Sequence, residues 1–196
     1  MGKADEDATR PSPAIRPNPS QYASEWKLRN GTPVLIRPIR PEDEPLMIHF
    51  HEALSDQTVY FRYFHMINLS QRVSHERLAR ICFTDFDREI VLVAQTLDAE
   101  PLIIGVGRMN RLQTTSNAEF AVVVADSYQH QGLGPELVRR VVDIASREGV
   151  EKLVGEILPT NRAMIQVSKK LGFSVRHDIE EDVVRVEMQP ARSNAG

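Results

Sequence analysis

With 196 residues, 41% of them hydrophobic and 26% charged, the chain is long enough for one full core and has a globular composition. Its formal net charge of −3 gives no electrostatic footprint for nucleic acid. No apolar run approaches the roughly 20 residues that a membrane span needs, and the charged, proline-rich N-terminus lacks the pattern of a secretory signal.

Residues 1–24 carry Pro11, Pro13, Pro17 and Pro19 among mixed charges, which reads as a disordered or interdomain linker. The folded part is expected over 25–189, with 190–196 a flexible tail. Val34, Leu35 and Ile36 between Pro33 and Pro38 predict a short strand. Pro41, Glu42, Asp43 and Glu44 suit a first helical turn, and Leu46, Met47, Phe50 and Leu54 recur at helical spacing. The run Val59 to Phe64 fits strand or helix equally. A helix is predicted from about Ser74 to Cys82. Cys82 sits in an apolar patch and reads as a small core residue rather than a nucleophile; alone, it excludes an internal disulfide and suits a reducing cytoplasm.

Three strands are predicted next, at about Ile90–Thr96, Leu102–Met109 and Ala118–Val124. A glycine-containing turn, Gln129-His130-Gln131-Gly132-Leu133-Gly134, then opens a helix over Leu133–Arg147. Leu133, Leu137, Val141, Ile144 and Ala145 form its apolar stripe, and Gly149 its C-terminal stop. A strand at Leu153–Leu158, a helix at Asn161–Leu171 stopped by Gly172, and a half-buried strand through Val184, Val186 and Met188 complete the chain. This order predicts an α+β (α/β) fold, a mixed central sheet of about six to seven strands flanked by helices.

The turn is the candidate site. A strand-to-helix turn rich in glycine exposes backbone N–H groups at a helix N-terminus, which suits a phosphate or pyrophosphate. It equally suits an ordinary tight connection. Glu119 begins the strand leading into it. A carboxylate at the end of a strand leading to such a turn suits a general base. Glu119 could be that base or a solvated strand-end carboxylate. Asn161 reads as a helix N-cap, and Leu171-Gly172-Phe173 as a glycine cap before a core aromatic. The six histidines are scattered, no Cys/His/Asp spacing matches a metal site, and none is expected.

Taken together, Gln-x-x-Gly-x-Gly, Asn161 and Leu-Gly-Phe resemble the GNAT acetyltransferase superfamily over about residues 33–189. Arg37 to Asp43, Leu54-Ser55, Tyr60 to Phe64 and Ala118 to Val122 resemble, more narrowly, the acetyltransferase module of bacterial Pat-type protein lysine acetyltransferases. Ala14 to Pro17 with Pro19 is similar to the linker joining such modules to an acyl-CoA-synthetase-like domain.

The resemblance implies a GNAT fold, acetyl-CoA as co-substrate and a protein lysine as acceptor, with an acyl-CoA synthetase as first candidate partner. It implies that Glu119 deprotonates the amine and that the main chain of Val122, Val123 and Val124 pairs with the pantetheine arm. Gln129, His130, Gln131, Gly132, Leu133, Gly134 and Pro135 would hold the pyrophosphate, with Asn161 and Ser168 also at the cofactor. Acetyl transfer would be direct, with no acyl-enzyme. Two departures stand out. Ser168 occupies the place, seven residues after Asn161, where many members carry a tyrosine acid, and Pro135 has no N–H to offer. A small-amine N-acetyltransferase and a non-catalytic acyl-CoA-binding regulatory module fit the same motifs; the first needs a closed acidic pocket, and Glu119 argues against the second.

Overall fold

The computed structural model describes residues 19–191. A 3-10 turn at Ser20–Tyr22 leads into β1 (Ser24–Lys27) and β2 (Pro33–Pro38). After a second such turn at Pro41–Asp43 come α1 (Glu44–Glu52), α2 (Asp56–Tyr63), α3 (Leu69–Arg72) and α4 (His75–Cys82). Three strands follow: β3 (Glu89–Thr96), β4 (Ile103–Arg111) and β5 (Asn117–Val124). The chain ends with α5 (Leu133–Arg147), β6 (Lys152–Ile157), α6 (Arg162–Lys170), β7 (Ser174–Asp178) and β8 (Val183–Met188).

One mixed sheet holds all eight strands, in the order β1-β2-β3-β4-β5-β6-β8-β7. Neighbours are antiparallel except β5 and β6, which run parallel. The expected six to seven strands become eight because β1 and β7 join as edge strands. Their side chains are mostly exposed, so main-chain pairing holds them and no apolar alternation marks them. The ambiguous run Val59 to Phe64 falls mostly in α2. Ser55 caps that helix by accepting from the Thr58 N–H, and Phe64, at φ 64°, stops it in the left-handed region. Of the expected linker, residues 1–18 lie outside the described residues. Residues 19–24 are built into the fold, where the Tyr22 hydroxyl donates to Glu148 at 2.8 Å. Of the expected tail, Ala191 accepts a hydrogen bond from the Ser146 hydroxyl, and 192–196 lie outside the described residues.

The sheet separates two cores. Ile90, Leu92 and Ala94 of β3 face the core beneath α5, while Val91 and Val93 face the core beneath α1 and α4. Burial on both faces explains why β3 reads as an unbroken apolar run. Cys82 belongs to the second core, where burial pushes its thiol up to about 11. Helix α5 lies close on β4 because Gly105 and Gly107 face it; a Cβ at Gly105 would stand 2.9 Å from Leu133 Cδ2. Each fully buried aliphatic residue on α5 contributes roughly 1.5–3 kcal/mol.

Both site helices end alike. The Val150 N–H donates to the Ala145 carbonyl with Gly149 at φ 68°, and the Phe173 N–H donates to the Ser168 carbonyl with Gly172 at φ 90°. Phe173 then packs on Phe120, ring centroids 5.0 Å apart.

The helical layer over the second core is pinned by buried polar groups. Arg37 makes a two-pronged pair with Asp43, both contacts 2.7 Å. His51, only 2% exposed, has neither ring nitrogen bonded. Burial, then Arg72, Arg77 and Arg62, lower its pKa to about 4. The unfolded chain therefore takes up a proton near pH 6.5 that the folded chain refuses until about 4, so stability falls as pH falls through that window. Acidification from pH 7 to 5 is expected to cost about 2 kcal/mol through this residue. Urea unfolding at both pH values checks it: His51→Leu should show a smaller pH dependence than wild type, and equal dependence would remove His51 as the cause.

Candidate functional site

Strands β5 and β6 pair over only three residues: Asn117 with Lys152, Ala118 with Leu153 and Glu119 with Val154. Beyond Glu119 they separate, while β5 stays paired with β4 as far as Val124. One edge of β5 from Phe120 to Val124 is therefore open. The Ala125 N–H donates to the Ile104 carbonyl on the β4 side. Main-chain groups alternate sides along a strand, so those of Val122 and Val124 turn to the open edge and those of Val123 to β4. The Val124 carbonyl is met by Gln129 Nε2 at 3.1 Å. The Val122 N–H and carbonyl and the Val124 N–H face the gap.

A cleft of about 480 Å³ occupies this gap. Its walls include Val122, Val123, Val124, Gln129, His130, Gly132, Gly134, Pro135 and Asn161. The turn lies at one end. His130 (φ 60°) and Gly132 (φ 85°) adopt left-handed backbone, which curls the chain so that successive N–H groups converge. No side chain caps α5, and its first intrahelical acceptor, the Gly132 carbonyl, serves Glu136. The N–H groups of Leu133 and Gly134 are thus left at the helix N-terminus, and Pro135 contributes none.

Several expected residues act differently from their reading. The Leu133 side chain is 1% exposed and belongs to the core, so all it can offer is its N–H at the helix N-terminus. Gln131 does not line the cleft; its carbonyl accepts from the Arg29 N–H at 3.0 Å. Val123 offers its side chain, not its main chain. Ser168 is fully buried and donates to the Met164 carbonyl at 3.0 Å, so it is tied into its own helix and does not reach the cleft. Asn161 is both the N-cap of α6, accepting from the Met164 N–H, and part of the wall. Gly132 and Gly134 differ. A Cβ at Gly132 would meet the Trp26 ring at 3.3 Å, whereas at Gly134 the nearest atom is Val124 Cγ2 at 3.9 Å. Gly132 is required by the fold; at Gly134 a side chain would point into open space beside Val124.

A second, smaller pocket of about 270 Å³ adjoins the first, sharing Phe61, Arg62, Val122, Asn161 and Met164 with it. Glu119 and Glu156 line this second pocket beside Tyr63 and Phe64. Glu119 therefore stands away from the glycine-containing turn, at the opposite end of β5. The strand that carries it into the sheet also carries the chain away from it.

Sequence reasoning missed the roof. Asp126 accepts from the Ser55 N–H (2.9 Å), the Ser55 hydroxyl (2.6 Å) and the Thr58 hydroxyl (2.9 Å). Burial would raise its pKa, but these bonds outweigh it and hold the carboxyl below its ordinary value. Gln129 Nε2 donates to Thr58 Oγ1 at 3.1 Å. The start of α2 is thereby fastened to the turn, and its Phe61 and Arg62 cover both pockets. Arg29 adds a cation beside the turn, its guanidinium donating to the His130 carbonyl at 3.3 Å. These partners lie some 70 to 100 positions apart in the chain, beyond any local pattern.

Comparison with known proteins agrees with this layout. The family model for the acetyltransferase (GNAT) domain matches residues 34–174. The acetyltransferase PA5475 of Pseudomonas aeruginosa is 32% identical over 79% of this chain and 82% of its own length. The acetyltransferase Pat of Mycolicibacterium smegmatis is 26% identical over 84% of this chain, which spans only 48% of that protein. The crystal structure of the GNAT domain of S. lividans PAT is 27% identical, with a TM-score of 0.78 over 87% of this chain and 98% of that one.

Gly134→Val tests the cleft. The new Cβ meets no tight protein contact, and replacing glycine within a helix does not weaken it. The variant is expected to keep wild-type melting while binding acetyl-CoA at least about tenfold more weakly by calorimetry. Unchanged affinity would separate the turn from the ligand.

Proposed function

The chain belongs to the acetyltransferase (GNAT) family, and on that premise we propose that it moves acetyl from acetyl-CoA to the ε-amine of a lysine on a protein. The observation that carries the reading is the open edge of β5. It supplies strand-like partners for a thin amide-bearing arm between an anion-binding turn and a pocket holding Glu119. Pantetheine has two amides and would add to β5 as an extra strand would. The pyrophosphate would meet the N–H groups of Leu133 and Gly134 with Arg29 nearby, and the thioester would fall at Val122. The Val122 N–H would then donate to the carbonyl oxygen as it becomes an oxyanion.

The acceptor enters from the side of Glu119. Its amine loses a proton to Glu119, directly or through water, and attacks the thioester carbon. Both substrates are bound together, and no side chain is acylated; Cys82 is buried with its thiol pKa raised, away from both pockets. The aromatic and acidic lining, with Phe61, Tyr63, Phe64, Glu119 and Glu156, suits a methylene chain ending in a cation. The protein acceptor is supported by the likeness to the Pat proteins, and an acyl-CoA synthetase is our first candidate. What remains of the expected linker, residues 1–18, is part of the same reading, in which this unit joins a synthetase-like domain.

Glu119→Gln is expected to lower the maximal rate roughly 10²–10⁴-fold while acetyl-CoA affinity stays near wild type. A variant keeping more than about a third of the rate at pH 7 would place the base elsewhere. Mass spectrometry of a treated acyl-CoA synthetase should show one dominant acetyl-lysine. Free lysine and spermidine should be poor substrates, because binding away from the amine positions it. If spermidine surpasses every protein in kcat/KM, the acceptor is a small amine.

A further inference from the structure

The Arg62 guanidinium lines both the cofactor cleft and the acceptor pocket, and nothing in the mechanism above uses it. Among the described residues it has no hydrogen bond or ion pair; its one close partner is the Tyr63 ring, 5.0 Å from guanidinium carbon to centroid. The charged and titratable groups that it feels include Tyr63, Arg108, Glu119, Arg77, Glu89 and His51. Burial first, then Arg108 and Arg77, lower its pKa against the pull of Tyr63 and Glu119. A half-buried cation with no bonded counter-charge is costly, and the cost is recovered when negative charge forms beside it.

Three anions could fill that place. The CoA phosphates belong at the turn, the other end of the cleft. An acyl chain ending in a carboxylate would have to share the acceptor pocket with Glu119 and Glu156, which repel it. The third is the charge that appears only during reaction. Transfer ends with CoA leaving, and no proton donor reaches its sulfur from position 168, since Ser168 is buried and donates to Met164. Arg62 and Val122 both line the two pockets where they meet, which is where the thioester is expected.

We propose that Arg62 is a catalytic residue whose guanidinium stabilises the negative charge developing on the CoA sulfur as the thioester breaks. The inference rests on the acetyl-transfer reading above. The amine lone pair forms the C–N bond, and the carbonyl π pair moves to oxygen. As that pair returns, the C–S bond breaks and its electrons leave on sulfur as thiolate. The ammonium's first proton has gone to Glu119 before attack, the second leaves the nitrogen to water as the intermediate collapses, and the thiolate takes one from water. Arg62 transfers no proton; it supplies fixed charge where charge appears, in a site its neighbours already shield from solvent. A guanidinium stays protonated across the working pH range, so this support does not titrate away.

The test uses the full chain with acetyl-CoA and, separately, an acyl-CoA synthetase and spermidine as acceptors. Arg62→Gln is expected to lower kcat at least about thirtyfold with whichever acceptor wild type uses better. Its Kd for acetyl-CoA should move less than about threefold, which also shows that the variant is folded. Arg62→Lys should recover part of the rate, because it restores the charge without the planar fork. Wild-type kcat should show no falling limb between about pH 7.5 and 9.5, whereas a proton-donating acid would produce one. A kcat within threefold of wild type overturns the proposal, as does a loss confined to KM. Preference for succinyl-CoA over acetyl-CoA that disappears in Arg62→Gln also overturns it, by making Arg62 a carboxylate receptor. If wild type acetylates neither acceptor, the transfer reading falls and takes this inference with it. Active wild type with an unaffected Arg62→Gln removes this inference alone.

Discussion

Strand β5 has a partner along its whole length on one side and along only three residues on the other. An extended backbone with one free edge must find donors and acceptors elsewhere, since unpaired buried amides are costly. Everything described at the site answers that constraint. Gln129 folds back to meet the Val124 carbonyl, and in doing so fixes the turn that ends the cleft. The same side chain and Asp126 fasten α2 across the opening. What is left unmet, the Val122 groups and the Val124 N–H, lines the space that a ligand would occupy.

Where β5 and β6 part, the two strands are closely packed. Phe120 packs its ring across Gly155, where even a Cβ would lie 2.7 Å away, and the ring is held on its other side by Phe173. Phe173 in turn is placed by the backbone reversal at Gly172. The Leu171-Gly172-Phe173 motif therefore does structural work: it buttresses the last paired part of the sheet. Asn161, at the other end of α6, begins that helix and faces the cleft at once. Helix α6 is positioned at both ends by residues that sequence alone can only read as caps.

Helix α5, its stripe and its glycine stop were legible because a long amphipathic helix has a strong period and defined ends. The turn was legible because its chemistry is local. Edge strands β1 and β7 were not, since main-chain pairing leaves no mark on side-chain pattern. Helix α2 was ambiguous because only Val59 is fully buried in the core, while Phe61 and Tyr63 line the pockets and Tyr60 is exposed. The site's hidden half, Ser55, Thr58, Asp126, Arg29 and Arg62, depends on contacts between distant segments. Ser168 shows the opposite failure: its position in the motif suggested proximity to the cofactor, but its short hydroxymethyl side chain turns into the helix and bonds four residues back.

An exposed strand edge is ordinarily a hazard, because a second polypeptide can extend the sheet and begin aggregation. The edge at Phe120–Val124 is protected by its position. It lies inside the sheet rather than at its rim, closed at one end by the Glu119–Val154 pair and bounded at the other by the turn, with α2 above it. A polypeptide strand brings side chains on both faces and a backbone that must continue past each end. A slender arm with two amides and no branches at the reacting end needs neither. The same closure that lets the fold keep unpaired backbone as a working surface also screens out its commonest competitor, the edge of another protein.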